Sequence, residues 1–302
     1  MGFVVSGLTD YVDQSSEELI SAAQFGNETA AMMNLQTGVK SSKALQLLNV
    51  AAYPQVNSSC GFNASGTATL TQRNISTSAI KYEASFCIND LEAKWTQTLI
   101  KKGQDYDESD MPKEIMDEVV KFVNRYSETA DWQGDSASGD PILAQYDGLL
   151  KIIDAATTVS ATPSTYNSTN CRTIVAEMIT LIPAALQGDP DFTFFLGYPE
   201  LETYRQKLMA DNLFHVPAGD AVNVITAEGS IYKLKAVHGL DNTSRIIGMK
   251  PDNAYLGVDM EGEEEQFRLW YSQDDDLVKY SIKYRRGWQV AIPSEIVEYT
   301  NS

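Results

Sequence analysis

Residues 112–132 read PKEIMDEVVKFVNRYSETADW, and the fold can be read outward from this stretch. Ile115, Met116, Val119, Val120, Phe122, Val123 and Tyr126 recur at three- and four-residue steps, which places an apolar stripe along one side of a helix. Lys113, Glu114, Asp117, Glu118, Lys121, Asn124 and Arg125 occupy the opposite side. Pro112 behind Asp110 suits a helix start, because the first turn does not use the N–H that proline lacks. The spacing predicts an amphipathic helix over 112–131 that lies along a surface. It stops near Trp132, where residues 134–141, GDSASGDP, form a loop. Those glycines resemble a phosphate cradle, but they follow a helix and no lysine accompanies them, so a surface loop is expected.

Upstream the periodicity changes. Ile80, Tyr82, Ala84 and Phe86 alternate with Lys81, Glu83 and Ser85, the pattern of a strand with one buried face. Ala68 and Leu70 alternate with Thr67, Thr69 and Thr71 in the same way, and the polar stretch Gln72 to Ser78 separates the two runs. These runs predict a long antiparallel hairpin within 51–90. Residues 1–50 are weakly periodic. Ser15-Ser16-Glu17-Glu18-Leu19-Ile20 resembles a short capped helix, Gly26 and Gly38 punctuate the rest, and the whole reads as an extended arm.

Downstream, Ile174, Val175, Met178, Ile179 and Ile182 predict a helix from about Cys171, capped by Thr169 or Asn170. Phe192 to Leu196 reads as a short buried strand, and Leu201, Tyr204 and Leu208 stripe a helix from Pro199 to about Asn212. Val222 and Val224 pair with Ile231 around a turn at Glu228-Gly229. Three closing strands are expected: Phe267, Leu269 and Tyr271 in the first, Val278, Tyr280, Ile282 and Tyr284 in the second, and Val290 with Ile292 in the third, past Arg285-Arg286-Gly287. The fold class is α+β.

Composition bounds the chemistry. The chain has 302 residues, 43% of them apolar and 10% aromatic, which suits a folded protein. Forty-one acidic against 23 basic side chains give a net charge of −18, the wrong sign for gripping phosphates, so sequence-specific DNA binding is not expected. There is neither an uninterrupted apolar run of about 18 residues nor a secretory signal, so no membrane partner and a cytoplasmic site of synthesis are expected. The N-x-[ST] triplets at Asn27, Asn57, Asn63, Asn74, Asn167 and Asn242 are read as chance products of an Asn-, Ser- and Thr-rich chain. Cys60, Cys87 and Cys171 are odd in number and far apart, hence buried thiols, and His215 and His238 lack metal-ligand spacing. The clusters Glu261, Glu263, Glu264, Glu265 and Asp274, Asp275, Asp276 read as solvated turns rather than cation sites. Trp95, Trp132, Trp270 and Trp288 are assigned to packing. There is no P-loop, G-x-G-x-x-G, H-E-x-x-H or G-x-S-x-G. Catalytic, cofactor-binding and metal residues are therefore expected to be none, and the protein is not expected to be an enzyme.

The order of elements carries a resemblance: an arm, a Gly- and Thr-rich hairpin, a long amphipathic helix, a loop with Tyr146-Asp147-Gly148-Leu149-Leu150, a mixed α/β segment and long closing strands. It resembles the tailed-bacteriophage major capsid proteins, whose fold is named after phage Hong Kong ninety-seven. The resemblance implies an N-terminal arm over 1–50 and an extended loop over 51–90. It implies a peripheral domain over 91–147 and 262–288, with a spine helix at 112–131, and an axial domain over 148–261 and 289–302. Tyr280-Ser281-Ile282-Lys283-Tyr284 would be the returning peripheral strand, and Gln289 to Val297 would lead back into the axial domain.

The implied function is structural: a major capsid protein that self-assembles into an icosahedral head shell enclosing double-stranded DNA. The implied location is the virion, after assembly in a host bacterial cytoplasm. The implied partners are copies of itself in hexamers and pentamers, a portal and head decoration or auxiliary proteins. Because the chain begins at Met1-Gly2 directly in the arm, a separate scaffolding protein is also expected. Some relatives join subunits through a Lys–Asn isopeptide bond; Lys81 is present, but nothing fixes a pairing and no cross-link is expected. Two alternatives stand beside this reading: an encapsulin-like cellular nanocompartment shell protein and, from a different class, a soluble carboxylate-dependent hydrolase.

Overall fold

The computed structural model describes residues 27–53, 66–87, 110–211, 223–259, 266–275 and 277–301. The expectations at Ser15 to Ile20, Cys60, Trp95, His215, Val222, Asp276 and Glu261 to Glu265 lie outside these residues.

Two sheets organise the described residues. The first is built on β12 (Leu277–Val290), which runs unbroken for 14 residues. β4 (Ser78–Cys87) pairs antiparallel with Leu277 to Arg286, and β11 (Gln266–Ser272) pairs antiparallel with Leu277 to Lys283. β10 (Ala254–Val258) takes the remaining length of β12, and β1 (Asn34–Gln36) adds to β10 in parallel. The second sheet has the order β5-β13-β9-β6-β8-β7. Its strands are β5 (Val159–Ser160), β6 (Thr193–Leu196), β7 (Val224–Thr226), β8 (Lys233–Ala236), β9 (Ile246–Met249) and β13 (Val297–Tyr299). A separate two-stranded ribbon pairs β2 (Ser42–Ala52) with β3 (Gly66–Ser76).

Among the described residues there are two large apolar clusters. One gathers α1 (Asp110–Gln133) and α2 (Leu149–Asp154) against the first sheet, through Met116, Val123, Leu149, Ile153, Leu256, Val278 and Ile282. The other packs α3 (Cys171–Thr180) and α4 (Tyr198–Ala210) on the second sheet, through Val175, Met178, Tyr204, Phe194, Leu234 and Tyr299.

Three expectations are corrected. The first concerns the hairpin. The runs at 67–71 and 80–86 do not pair with each other: β3 pairs back onto β2, and β4 joins β12. Ser42 to Ala52 was not read as a strand: Leu45 is buried at its base while Ser42 to Ala44, Gln46 and Leu48 are exposed, and one buried position sets no alternation to detect.

The second concerns the closing strands: the second and third are one strand, β12, which continues through Arg285-Arg286-Gly287 to Val290. Arg286 is fully buried and ion-paired. Gly287 is there for close approach, since a Cβ at this position would come 2.0 Å from the Ser76 carbonyl oxygen. The third concerns α1. The stripe residues Met116, Val119, Val120 and Val123 are buried and Phe122 is 50% exposed, but Ser127, Glu128, Ala130, Asp131 and Trp132 are buried as well. The last two turns pass through a core instead of along a surface, because residues 27–33 and the loop His238–Leu240 cover them.

Smaller differences follow the same logic. Asn170 takes the N-cap position of α3 but does not cap the helix; its amide instead fixes the preceding turn through the Asn167 N–H and the Thr165 carbonyl. The β7–β8 turn forms around Gly229, at φ +67°, while Ile231 stays 53% exposed outside the strands.

Candidate assembly interface and its buried anchor

The β2–β3 ribbon carries apolar side chains into solvent. Leu48 and Leu70 face each other across its register and are 67% and 65% exposed. Residues 66–72 of β3 are all exposed. An isolated two-stranded ribbon is marginal in water, so this one needs an anchor at its base and a cover at its far end.

The anchor is well defined. Val39, Leu45 and Ile75 form a small cluster capped by Tyr255. The Ile75 side chain fills the space where Gly257 has no Cβ. Thr77 donates its hydroxyl to the Val39 carbonyl at 2.9 Å and its N–H to the Ser41 carbonyl. Arg73 donates to Gln289 Oε1 at 3.0 Å, and Gln289 Nε2 donates to the Asn74 carbonyl at 2.7 Å. The chain then turns from ribbon into inner sheet at Ser76 to Ser78, directly over Gly287.

Beneath this turn lies a buried polar centre. The Asp131 carboxylate receives Arg286 Nε at 2.8 Å, Arg286 Nη2 at 2.5 Å, Trp288 Nε1 at 2.6 Å, Tyr146 Oη at 2.7 Å and Asn27 Nδ2 at 2.6 Å. Both ion-pair partners are 0% exposed. Burial alone would lower the Arg286 pKa; the Asp131 charge and hydrogen bond, with Tyr146 and Tyr284, together outweigh it and drive the value up. Burial likewise pushes Tyr146 and Tyr284 well above the usual tyrosine range, so both are neutral phenols. Asp131 thereby ties together α1, β12, the Tyr146 loop and the N-terminal segment.

One turn earlier on α1, Glu128 accepts two bonds from Thr29, the N–H at 3.0 Å and the hydroxyl at 2.5 Å. Trp132 Nε1 donates to the same Thr29 hydroxyl at 2.7 Å. Burial pushes the Glu128 carboxyl up to about 7, with the Asp131 and Glu28 charges adding to it and the Thr29 bonds opposing it. Glu28, on the same segment, accepts from the Tyr198 hydroxyl at the head of α4. Residues 27–33 therefore touch both large cores.

The loop that resembled a phosphate cradle binds itself. Asp135 accepts the Ala137 N–H, Asp140 the Ile142 N–H and Asp147 the Ser136 N–H, so its amides already have carboxylate partners. Gly134 and Gly148 cross at backbone contact, where a Cβ on Gly134 would meet the Ala130 and Tyr146 carbonyls at 2.5 Å. Lys151 bridges Asp135 at 2.5 Å and Asp147 at 2.8 Å.

The other sequence candidates do not converge on one another. Asp275 pairs with Ser272 and Lys279 in a surface turn, His238 stacks on Tyr198 at 4.1 Å, Cys171 is buried and Cys87 half-buried. Among the described residues no three His, Cys, Asp or Glu side chains are grouped to hold a metal ion. The centre that sequence reasoning missed had one signal: Ser127 and Asp131 continue the inward seam of Met116, Val120 and Val123, which puts a charge where a core residue belongs.

A scan of protein-family models and a search of curated proteins find no match. Comparison with solved structures does. The chain superimposes on a chain of the satellite phage P4 procapsid, a structure that includes the size determination protein, with a TM-score of 0.67 at 11% identity, over 97% of this chain and 95% of that one. The fold is that of phage capsid proteins. The capsid of Myoviridae phage XM1 aligns with a TM-score of 0.56 at 12% identity over 90% of each chain. A virus-like particle from Pyrococcus furiosus aligns with a TM-score of 0.54 at 10% identity over 98% of each. The likeness in fold thus extends over nearly the whole chain.

Proposed function

We propose that this protein is the major capsid protein of a tailed phage, a non-enzymatic subunit whose copies close into an icosahedral shell around double-stranded DNA. The observation that carries the reading is the β2–β3 ribbon, which presents Leu48 and Leu70 to solvent and is packed at its base. An exposed ribbon of this kind is a liability in a monomer and an asset in a closed assembly, where every copy covers the same surface of its neighbour. Full-length likeness to capsid chains supports it.

In this reading residues 1 to about 41 are the arm, and the ribbon from Ser42 to Ser76 is the extended loop. α1 is the spine helix of a peripheral domain that includes β4, β11 and β12, and the second sheet with α3 and α4 is the axial domain. The proposed partners are copies of the chain in hexamers and pentamers, with a separate scaffolding protein, a portal and head decoration proteins. DNA is enclosed without sequence-specific contact, which the charge of −18 favours. The proposed site of assembly is the host bacterial cytoplasm, and the finished protein belongs to the virion.

The test is to purify the chain alone and with its candidate scaffold, then to size the product and view it in negative stain. Shells or capsomers are expected; a stable monomer that forms neither overturns the reading. A compartment shell of the encapsulin type is the second reading, because a likeness in fold to capsid chains and to a virus-like particle from Pyrococcus furiosus does not say what a shell encloses. Purified native particles containing protein cargo instead of DNA would decide for it.

A further inference from the structure

The first sheet has a second face, turned away from its core, whose charge runs against that of the chain. On β12, Val278, Ile282 and Tyr284 enter the core, so Lys279, Ser281, Lys283 and Arg285 stand on the other side. The register sets Lys81 of β4 opposite Lys283 and Glu83 opposite Ser281. On β11 it sets Arg268 opposite Ser281 and Trp270 opposite Lys279. Among the described residues of these three strands, five cations therefore share this face with one carboxylate, Glu83, in a chain that carries 41 acidic and 23 basic side chains. We propose that this face binds the phosphate backbone of nucleic acid.

The register leaves positive charge uncompensated. Lys81 and Lys283 are direct cross-strand partners, a like-charge pairing that costs sheet stability and that a bridging anion relieves. Both are exposed, as is Arg268. Lys81 pairs with Glu83 at 2.6 Å, and Lys279 pairs with Asp275 of the β11–β12 turn. Among the described residues no carboxylate comes within ion-pair distance of Lys283 or Arg268.

Shape and composition select the partner. Lys279, Lys283 and Arg285 form a row about 20 Å long on β12, with Lys81 and Arg268 on the flanking strands about 4.8 Å to either side. Such a row suits a polymer that carries a charge every few ångströms along its length. The one exposed large apolar side chain on this face, among the described residues, is Trp270. Protein–protein interfaces centre on apolar side chains and are depleted in lysine, whereas nucleic-acid interfaces are polar and cationic. Lysines and arginines around a single tryptophan have the second composition.

The rest of the subunit is acidic and repels the same polymer, so binding is weak, indifferent to base sequence and steeply dependent on salt. The phosphate contact stands on the face alone; that the phosphates are those of enclosed DNA rests on the capsid reading.

The test is fluorescence anisotropy of a labelled DNA duplex of about 20 base pairs with the unassembled full-length subunit, at salt concentrations from about 20 to about 200 mM. The logarithm of the affinity should fall linearly with the logarithm of the salt concentration, with a slope of about −3 to −4. Lys81→Gln with Lys283→Gln should flatten that slope by about 2 and weaken binding at least about tenfold at the lowest salt, and Arg268→Gln alone should flatten it by about 1. Lys233→Gln with Lys235→Gln removes the same charge from β8 of the other sheet and should leave the slope unchanged. Absence of binding by the wild type, or an equal loss in the β8 variant, overturns the proposal. So does a polyglutamate peptide of the duplex's charge that binds more tightly than the duplex, because the partner is then an acidic polypeptide. Each protein is also put through assembly: shells from a wild-type subunit that binds no DNA sink this inference and leave the capsid reading intact, whereas a DNA-binding subunit that never assembles upholds the phosphate contact and sinks the capsid reading.

Discussion

Asp131 and Arg286 meet in an ion pair from which water is wholly excluded, with Nη2 and Oδ2 2.5 Å apart. Removing one partner leaves a buried charge without compensation. Asp131→Ala is therefore expected to cost about 3–5 kcal/mol of subunit stability. Denaturant unfolding of the unassembled subunit measures it. The double variant Asp131→Ala, Arg286→Met is expected to be more stable than Asp131→Ala alone, since it removes the stranded charge.

Gly287→Ala places a methyl group 2.0 Å from a backbone oxygen that has no flexible side chain to yield. The expected cost is about 1–3 kcal/mol, with the ribbon base loosening first. Faster exchange at Ile75 and Thr77 than at β9 would show it.

Leu48→Ser together with Leu70→Ser changes two side chains that touch no core. Subunit stability should stay within about 0.5 kcal/mol of the wild type, while shell formation is lost. Sedimentation gives the assembly readout and thermal unfolding the control. Normal shells from this variant would place the contact surface elsewhere.

Replacing residues 48–70 by a short Gly-Ser turn removes the projecting part of the ribbon and keeps Leu45, Ile75 and Thr77 in place. The product is expected to be folded, with the near-ultraviolet circular dichroism of the parent, and unable to close shells. A deletion that extends to Ser78 should fail to fold, because it cuts into the anchor and the first residue of β4.

Lys151 holds the Asp135 carboxyl below its usual 3.8, and it does the same for Asp147 against the opposing effect of partial burial. A depressed carboxyl pKa contributes stability that is present above the ordinary value and is lost as pH falls through the native one. Lys151→Met should therefore lower the melting temperature at pH 7 and flatten its decline below pH 4. A wild-type decline with the same slope as the variant would count against the role of this cluster.

The elements legible in the sequence were those with one wet and one dry face. The stripe from Ile115 to Tyr126, the α3 and α4 stripes and the alternation of Ile80 to Phe86 all reported a side that had to be buried. β2 was not legible, because its one buried position at the base, Leu45, sets no period among the exposed residues around it. Pairing was not legible either: alternation identifies a buried face, but β4 buries it beside β12, about 200 positions away in the chain, and not beside its neighbour β3. Arg286 and Gly287 read as a division between two strands because charge next to glycine usually means solvent. Here the charge had a buried partner 155 residues away and the glycine made room for a backbone. The covering of α1 by residues 27–33 depended on Glu128 and Asp131, whose carboxylates only tertiary contacts could explain.

The Ser76–Ser78 turn has a mechanical consequence. A pull on the far end of the ribbon is a torque about this turn, and the turn bears on Gly287, whose neighbour Arg286 is bolted through Asp131 to the 24-residue helix α1. Strain imposed at the periphery thus has a stiff route into the interior of the subunit. It arrives at the same carboxylate that grips Asn27, so a neighbour leaning on the ribbon and the docking of the N-terminal segment act on one shared fulcrum.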